Sequence, residues 1–416
     1  MIVRKGKMAA LPALLLLLFA WTQASAVVEG VTGPTFNLTA MPTYISTADG
    51  GSILVWGFGA NGGWPQYPAP TLIVNQGDTV TVNVTNYLPE PVSIVFPGQE
   101  GVTASGGVPG LLAQQAPITG GTVSYTFTAN HAGTYLYQSG TNPQLQIEMG
   151  LVGALIVRPS PVNRAYEHAD TTFDHEYLFL LTEIDPRIHQ LVEYNLAAQV
   201  DNTDYHSVLW FINGRAGPDT LADANIPWMP SQPYNALARA HPGETVLLRV
   251  IGGGRELHPF HVHGNNVTVI ARDGRVLESA PGSGPDLGRS EYTIQTLPGA
   301  TYDALFTWTG EKLGWDIYGH APGDSLQPGE YAADHGKPFP VILPELQSLT
   351  FGGFYSGSPF LGTLAGLPPG QGGLNLNGGL FFMWHSHTEK ELVNNDIFPG
   401  GMMTMVIIEP PGVPIP

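Results

Sequence analysis

Apolar and polar residues alternate along much of this chain. "TVTVNVTN" (79–86), "VSYTFTA" (123–129) and "ALIVRP" (154–159) are examples. A period of two sends successive side chains to opposite faces of an extended strand, the pattern of a half-buried β-strand. Two regions repeat this grammar. The first runs "NQGDTVTVNVTNYLPEPVSIVFPGQ" and then "GTYLYQSGTNPQLQIEMGLVGALIVRP". The second runs "HPGETVLLRVIGGGRELHPFHVHGNN" and then "FFMWHSHTEKELVNNDIFPGGMMTMVIIEPP". Each opens on a Gly-acid-Thr-Val turn and closes on an aromatic strand, a loop and a last β-branched strand before proline. The pattern predicts two β-sandwiches, at 27–160 and 173–416, joined by a polar linker at 161–172. The second copy carries an insertion at about 311–379, rich in Gly and Pro and without period. A loop of that length serves as a lid, reaches a neighbour or is irregular surface.

Composition supports an all-β chain. Charged residues are only 12% of the 416, whereas there are 52 glycines and 37 prolines, which suits short strands and tight turns. The first 26 residues read as a signal peptide. Arg4, Lys5 and Lys7 precede the apolar run from Leu11 to Trp21, and Ala24-Ser25-Ala26 has the small-x-small form of a cleavage site. The run is short for a membrane span, and no later stretch is long and apolar enough. The expected location is outside the inner compartment, periplasmic or extracellular. Cleavage moves the formal charge from −18 to −21 by removing three basic residues and no acid. So acidic a surface repels phosphate backbones, which excludes nucleic acid as a partner.

There are no cysteines among the residues, so disulfides, thiolate nucleophiles and sulfur-held metal centres are all excluded. Histidine carries the candidate chemistry. His261 and His263 lie two apart in "HPFHVHG", and His385 and His387 two apart in "WHSH". Each pair shares one strand face. If the strands are neighbours, four imidazoles converge, a set suited to copper or zinc. By the same parity His258 and Ser386 point to the opposite face.

"HPFHVHG" paired with "HSH" resembles the multicopper oxidase family, built from cupredoxin sandwiches, over nearly all of the chain after the signal. The resemblance implies an all-β fold of two cupredoxin-like Greek-key domains, copper as cofactor and a self-associated protein, a trimer or larger. In that family the corresponding motifs read H-P-x-H-x-H-G and H-C-H-x-x-x-H, then Met or Leu. Cysteine and the first histidine hold an electron-accepting type 1 copper, and the other histidines serve a three-copper cluster that reduces oxygen.

This chain departs from that plan. Ser386 stands at the cysteine position, and the next histidine would fall at Glu391 counting forward or at Ile397 counting back from Met402. His258, Ser386 and Met402 are then a remnant of a type 1 site. The first copy has Val95, Pro97, Gln138 and Gly140 where the family has histidines, and His131 does not replace them. Four of eight cluster ligands remain, which predicts one mononuclear copper per chain at His261, His263, His385 and His387, with zinc also accepted. No catalytic side chain is assigned by sequence. Three function classes stay open: a copper oxidoreductase that is not a laccase, a copper sequestration or delivery protein, and a structural or filament-forming scaffold.

Overall fold

The computed structural model describes residues 28–321, 323–338, 357–360 and 378–415. The segment read as a signal peptide lies outside the described residues, as does most of 339–377.

Two sandwiches are formed in chain order. In the first, one sheet has the order Ser52–Ala60, Thr35–Ser46, Thr79–Asn86, Gly121–Thr128, Thr103–Gly106. Thr79–Asn86 alternates buried and less buried positions along its whole length, as its sequence predicts. The facing sheet has the order Val31–Thr32, Ala69–Asn75, Val152–Arg158, Gly133–Ser139, Ile94–Val95. Val152–Arg158 is buried at six of seven positions and does not alternate. Its second face packs on the other sandwich, where Val152, Ala154 and Ile156 meet Leu178, Leu180 and Ile251. A sheet covered on both sides needs apolar residues at both parities.

The second sandwich has one sheet ordered Leu209–Ile212, His175–Ile184, Thr245–Gly252, Thr301–Thr307, Val267–Arg272, Arg275–Val276. The other is ordered Ala238–Ala240, Met403–Ile408, Gly379–Ser386, His258–Val262, Thr293–Thr296. Aromatic rings fill the space between them. Trp384 meets Phe179 at 5.8 Å and Phe306 at 5.2 Å, both edge-on, and Phe260 lies 5.1 Å from Phe179. Such pairs add to the area burial that holds a sandwich closed.

The segment 161–172, polar in sequence, is packed rather than free. Ala165 and Tyr166 are buried, and the Tyr166 hydroxyl donates to Asp303 at 2.6 Å. That carboxylate belongs to a buried network between the sandwiches, in which Arg249 reaches Glu176 at 2.9 Å and Thr134 donates to Asp303 at 2.5 Å. No helix among the described residues is long and apolar enough to cross a membrane.

Candidate metal centre

The two histidine motifs lie on adjacent antiparallel strands. His261 is directly opposite His385, and Phe260 is opposite Ser386. Residues facing each other across such a pair point to the same side. His258, Phe260 and Val262 therefore turn into the sandwich with Trp384 and Ser386, all buried, while His261, His263 and His385 share the outer face. The strand ends are pinned by backbone bonds. The His387 amide donates to the Pro259 carbonyl at 2.9 Å, and Trp384 Nε1 donates to the His263 carbonyl at 3.0 Å.

The four rings form one cluster. His261 is 4.7 Å from His263, 5.4 Å from His385 and 4.7 Å from His387 between ring centres. His261, His263 and His385 each place a ligand nitrogen within 4.8 Å of the other two. His263 Nε2 and His385 Nε2 are 3.2 Å apart. Two ligands of a tetrahedral ion with bonds of about 2.0 Å would be about 3.3 Å apart. His387 joins the ring contacts but stands at the rim, its side chain 53% exposed.

The surroundings orient the rings for coordination. His385 Nδ1 lies 2.6 Å from the Ser386 carbonyl, which can only accept. Nδ1 therefore carries the proton and Nε2 offers its lone pair to the cluster. His261 Nδ1 is 2.8 Å from the Thr293 hydroxyl. Burial, and then the neighbouring imidazoles, lower the His261 pKa to about 4. Burial also lowers that of His385, against the pull of the Ser386 carbonyl. Both rings are thus neutral ligands at pH 7, and the donor set fits a borderline-soft divalent ion such as copper or zinc.

The inner face is organised differently. His258 is fully buried, with Nε2 2.8 Å from Glu183 and Nδ1 2.9 Å from Glu391. Burial alone would lower its pKa, but bonds to Glu183 and Glu391 prevail and raise it to about 9. It is an imidazolium between two carboxylates at pH 7. Both its nitrogens are used by protein groups. Ser386 Oγ accepts from the Thr388 amide at 3.3 Å, and Met402 is buried. Glu183 reaches His258 past "GGGR": a Cβ on Gly254 would lie 1.9 Å from Glu183 Oε2. Gly254 serves this approach, and Glu183 also accepts from the Glu256 amide at 2.9 Å.

The first sandwich repeats the strand pair without the ligands. Val95 is paired with Gln138. His131 is exposed, outside any strand. Sequence reasoning placed Glu391 at a histidine position but gave no sign of Glu183, which is 75 residues from His258.

Comparison with known proteins agrees with this architecture. Residues 48–162 match a family model described as multicopper oxidase. Over that segment the chain is similar to the multicopper oxidases. A copper resistance protein A homologue of Pseudomonas syringae pv. tomato is 28% identical over 276 residues, 59% of this chain and 44% of that protein. The chain spans less than half the length of the curated relatives it matches. The blue copper oxidase of Nitrosomonas europaea shares the fold, with a TM-score of 0.54 and 21% identity over 92% of this chain and 85% of that one. The multicopper oxidase mgLAC does so with a TM-score of 0.55 and 20% identity, over 94% and 88%. Against the motifs of the family that the sequence resembles, the absence of cysteine and the residues Val95, Pro97, Gln138 and Gly140 mark this chain's departure.

Proposed function

We propose that this chain is an exported copper-binding protein of multicopper-oxidase type, with one mononuclear histidine site and no laccase activity. One observation carries the reading: ligand nitrogens of His261, His263 and His385 lie within 4.8 Å of one another, in a chain with no other copy of that motif. His261, His263 and His385 hold the ion, and His387 approaches from the solvent side. When bound, copper supplies a Lewis-acidic, redox-active centre. The chain's own part is to keep the rings neutral by burial, to orient them through the Ser386 carbonyl and Thr293, and to leave the His387 side open to a small molecule. That open side supports a small-substrate oxidoreductase.

The copper resistance proteins among the relatives support a second reading, copper sequestration or delivery, with tight binding and no turnover. The basic start, apolar run and Ala24-Ser25-Ala26 support export. Exposed Leu111, Leu112 and Phe398 support self-association. The test is copper loading of full-length protein, with elemental analysis and spin resonance. We expect the His261→Ala/His385→Ala variant to hold one imidazole-coupled copper equivalent per chain fewer than the unmodified protein. A copper count and signal equal to those of the unmodified protein overturn the assignment. Redox turnover of a small donor by the loaded protein separates the oxidoreductase from the sequestration reading.

A further inference from the structure

The part of the insertion nearest its start holds another group of ligand-type side chains. The described residues of 311–338 contain no helix or strand. They are anchored nonetheless, since Leu313, Trp315 and Ile317 enter the core of the second sandwich. Around these anchors, Asp316, His320, Glu330 and His335 each place a ligand atom within 4.8 Å of the others. His320 Nδ1 is 3.0 Å from Asp316 Oδ2 and 3.2 Å from Glu330 Oε1. His335 Nδ1 is 2.8 Å from Glu330 Oε1 and 3.8 Å from Asp316 Oδ2. These separations scatter about the roughly 3.3 Å edge of a tetrahedron with metal–ligand bonds of about 2.0 Å.

Three of the four ligands are oriented by bonds from outside the group. Asp316 accepts from the Tyr318 amide at 2.9 Å and the Gly336 amide at 2.6 Å. Glu330 Oε2 accepts from the Gln327 amide at 2.8 Å, which leaves Oε1 toward the histidines. His335 Nε2 lies 3.0 Å from the Asp324 carbonyl and must donate to it. Without an ion, Nδ1 donates to Glu330 Oε1 and that bond raises the His335 pKa; an ion held by Glu330 takes the place of this proton, with Nδ1 as its ligand. The side chains of Asp316 and Glu330 are 1% and 3% exposed, so the two carboxylates have lost nearly all their water. A cation at the centre neutralises the two carboxylates and replaces the protons between them and the imidazoles.

We propose that Asp316, His320, Glu330 and His335 bind one divalent first-row transition cation of the zinc type, separate from the four-histidine site. Calcium and magnesium are excluded because half the donors are imidazole nitrogens, which hard ions do not select. Four donors of this kind at tetrahedral spacing form a closed structural site rather than one with an open position. The ion clips the chain between 316 and 335 and fixes the start of the insertion against the core.

The experiment uses full-length His261→Ala/His385→Ala protein, so that the four-histidine site does not contribute. With Zn²⁺ as the sole added metal, it retains one equivalent after gel filtration. Co²⁺ in its place gives the visible bands of a tetrahedral ion. Adding His335→Gln or Glu330→Gln, with circular dichroism unchanged, weakens zinc binding by about tenfold or more, a loss that outer partners alone can cause. In the unmodified protein, Zn²⁺ slows thermolysin cleavage within residues 316–335, a readout that needs no variant. Absence of zinc from the His261→Ala/His385→Ala protein, affinity unchanged by both further substitutions, or cleavage unaffected by zinc overturns the site.

Discussion

Gln138 stands opposite Val95 in the first sandwich in the register that sets His385 opposite His261 in the second. The same strand pair is built twice, once with ligands and once without. The ligand-free copy has been repacked. A Cβ on Gly140 would lie 2.7 Å from Val95 Cγ1 and 3.0 Å from Ser93 Oγ. Gly140→Ala should destabilise the protein by about 1–3 kcal/mol through overpacking. Val95→Ala in the same chain should recover part of the loss. Thermal or urea unfolding of the single and double variants measures both, and additive effects would show that the two positions do not compete for space.

The copper ligands should contribute unequally. His385 is 6% exposed and belongs to the trio within 4.8 Å, whereas the His387 side chain is 53% exposed at the rim. His385→Ala is expected to abolish copper binding, while His387→Ala weakens it and opens the site to added imidazole. Copper affinity by competition with a chelator of known strength checks the order. Equal losses in the two variants would place His387 among the inner ligands.

Proton competition at this site follows from the lowered pKa values. An ordinary imidazole titrates near 6.5, so copper sites usually lose metal as pH falls through that value. His261 is lowered to about 4 and His385 is lowered as well. Occupancy should hold from pH 7 to about pH 5 and fall as pH approaches the His261 value of about 4. A copper-dependent spin-resonance signal followed against pH makes the measurement. Loss centred near pH 6.5 would show that the rings keep their ordinary acidity.

Strand parity made the outer face legible before any coordinates. His261, His263, His385 and His387 lie at even spacings in alternating stretches, and the period-2 rule assigns them a common side. His258 and Ser386 were placed on the inner side by the same rule. The partner of His258 was half legible: Glu391 occupies a histidine position of the resembled motif, but Glu183 sits on a strand remote in sequence. The site at Asp316, His320, Glu330 and His335 was missed because 311–338 has no periodicity to project. Its only signal was the close spacing of two Asp/Glu–His pairs, four and five residues apart. Such pairs say nothing until long-range folding brings them together.

The triad at His258 has a stability consequence with a definite sign. Its pKa is raised from an unfolded value near 6.5 to about 9. The folded state therefore binds more protons than the unfolded state between those two values, and stability falls as pH rises through that window. The contribution is fully present below pH 6.5 and amounts to about 3 kcal/mol by the pKa difference. His258→Gln should remove most of this slope and also destabilise at pH 6, because Glu183 and Glu391 lose their shared cation in a buried place. Urea unfolding at pH 6 and pH 9 for both proteins measures it. An unfolding free energy of the unmodified protein that is flat or rising between these values would exclude a charged His258.

The same triad decides what one substitution at Ser386 can do. A type 1 copper needs a thiolate and free imidazole nitrogens. Ser386→Cys supplies the sulfur on the buried inner face, beside Phe260 and opposite the outer histidines. It does not free His258, whose Nδ1 remains 2.9 Å from Glu391 and whose Nε2 remains 2.8 Å from Glu183. Displacing a proton there with Cu²⁺ means breaking two charge-assisted hydrogen bonds in a fully buried site. Copper-loaded Ser386→Cys protein should therefore stay without intense visible absorption and without oxidase activity toward phenolic dyes. Ser386→Cys combined with Glu391→His removes the carboxylate from Nδ1 and offers a second imidazole, and is expected to be the first variant to turn blue. Blue colour in Ser386→Cys alone would show that the triad yields to copper and that the missing sulfur was the only barrier.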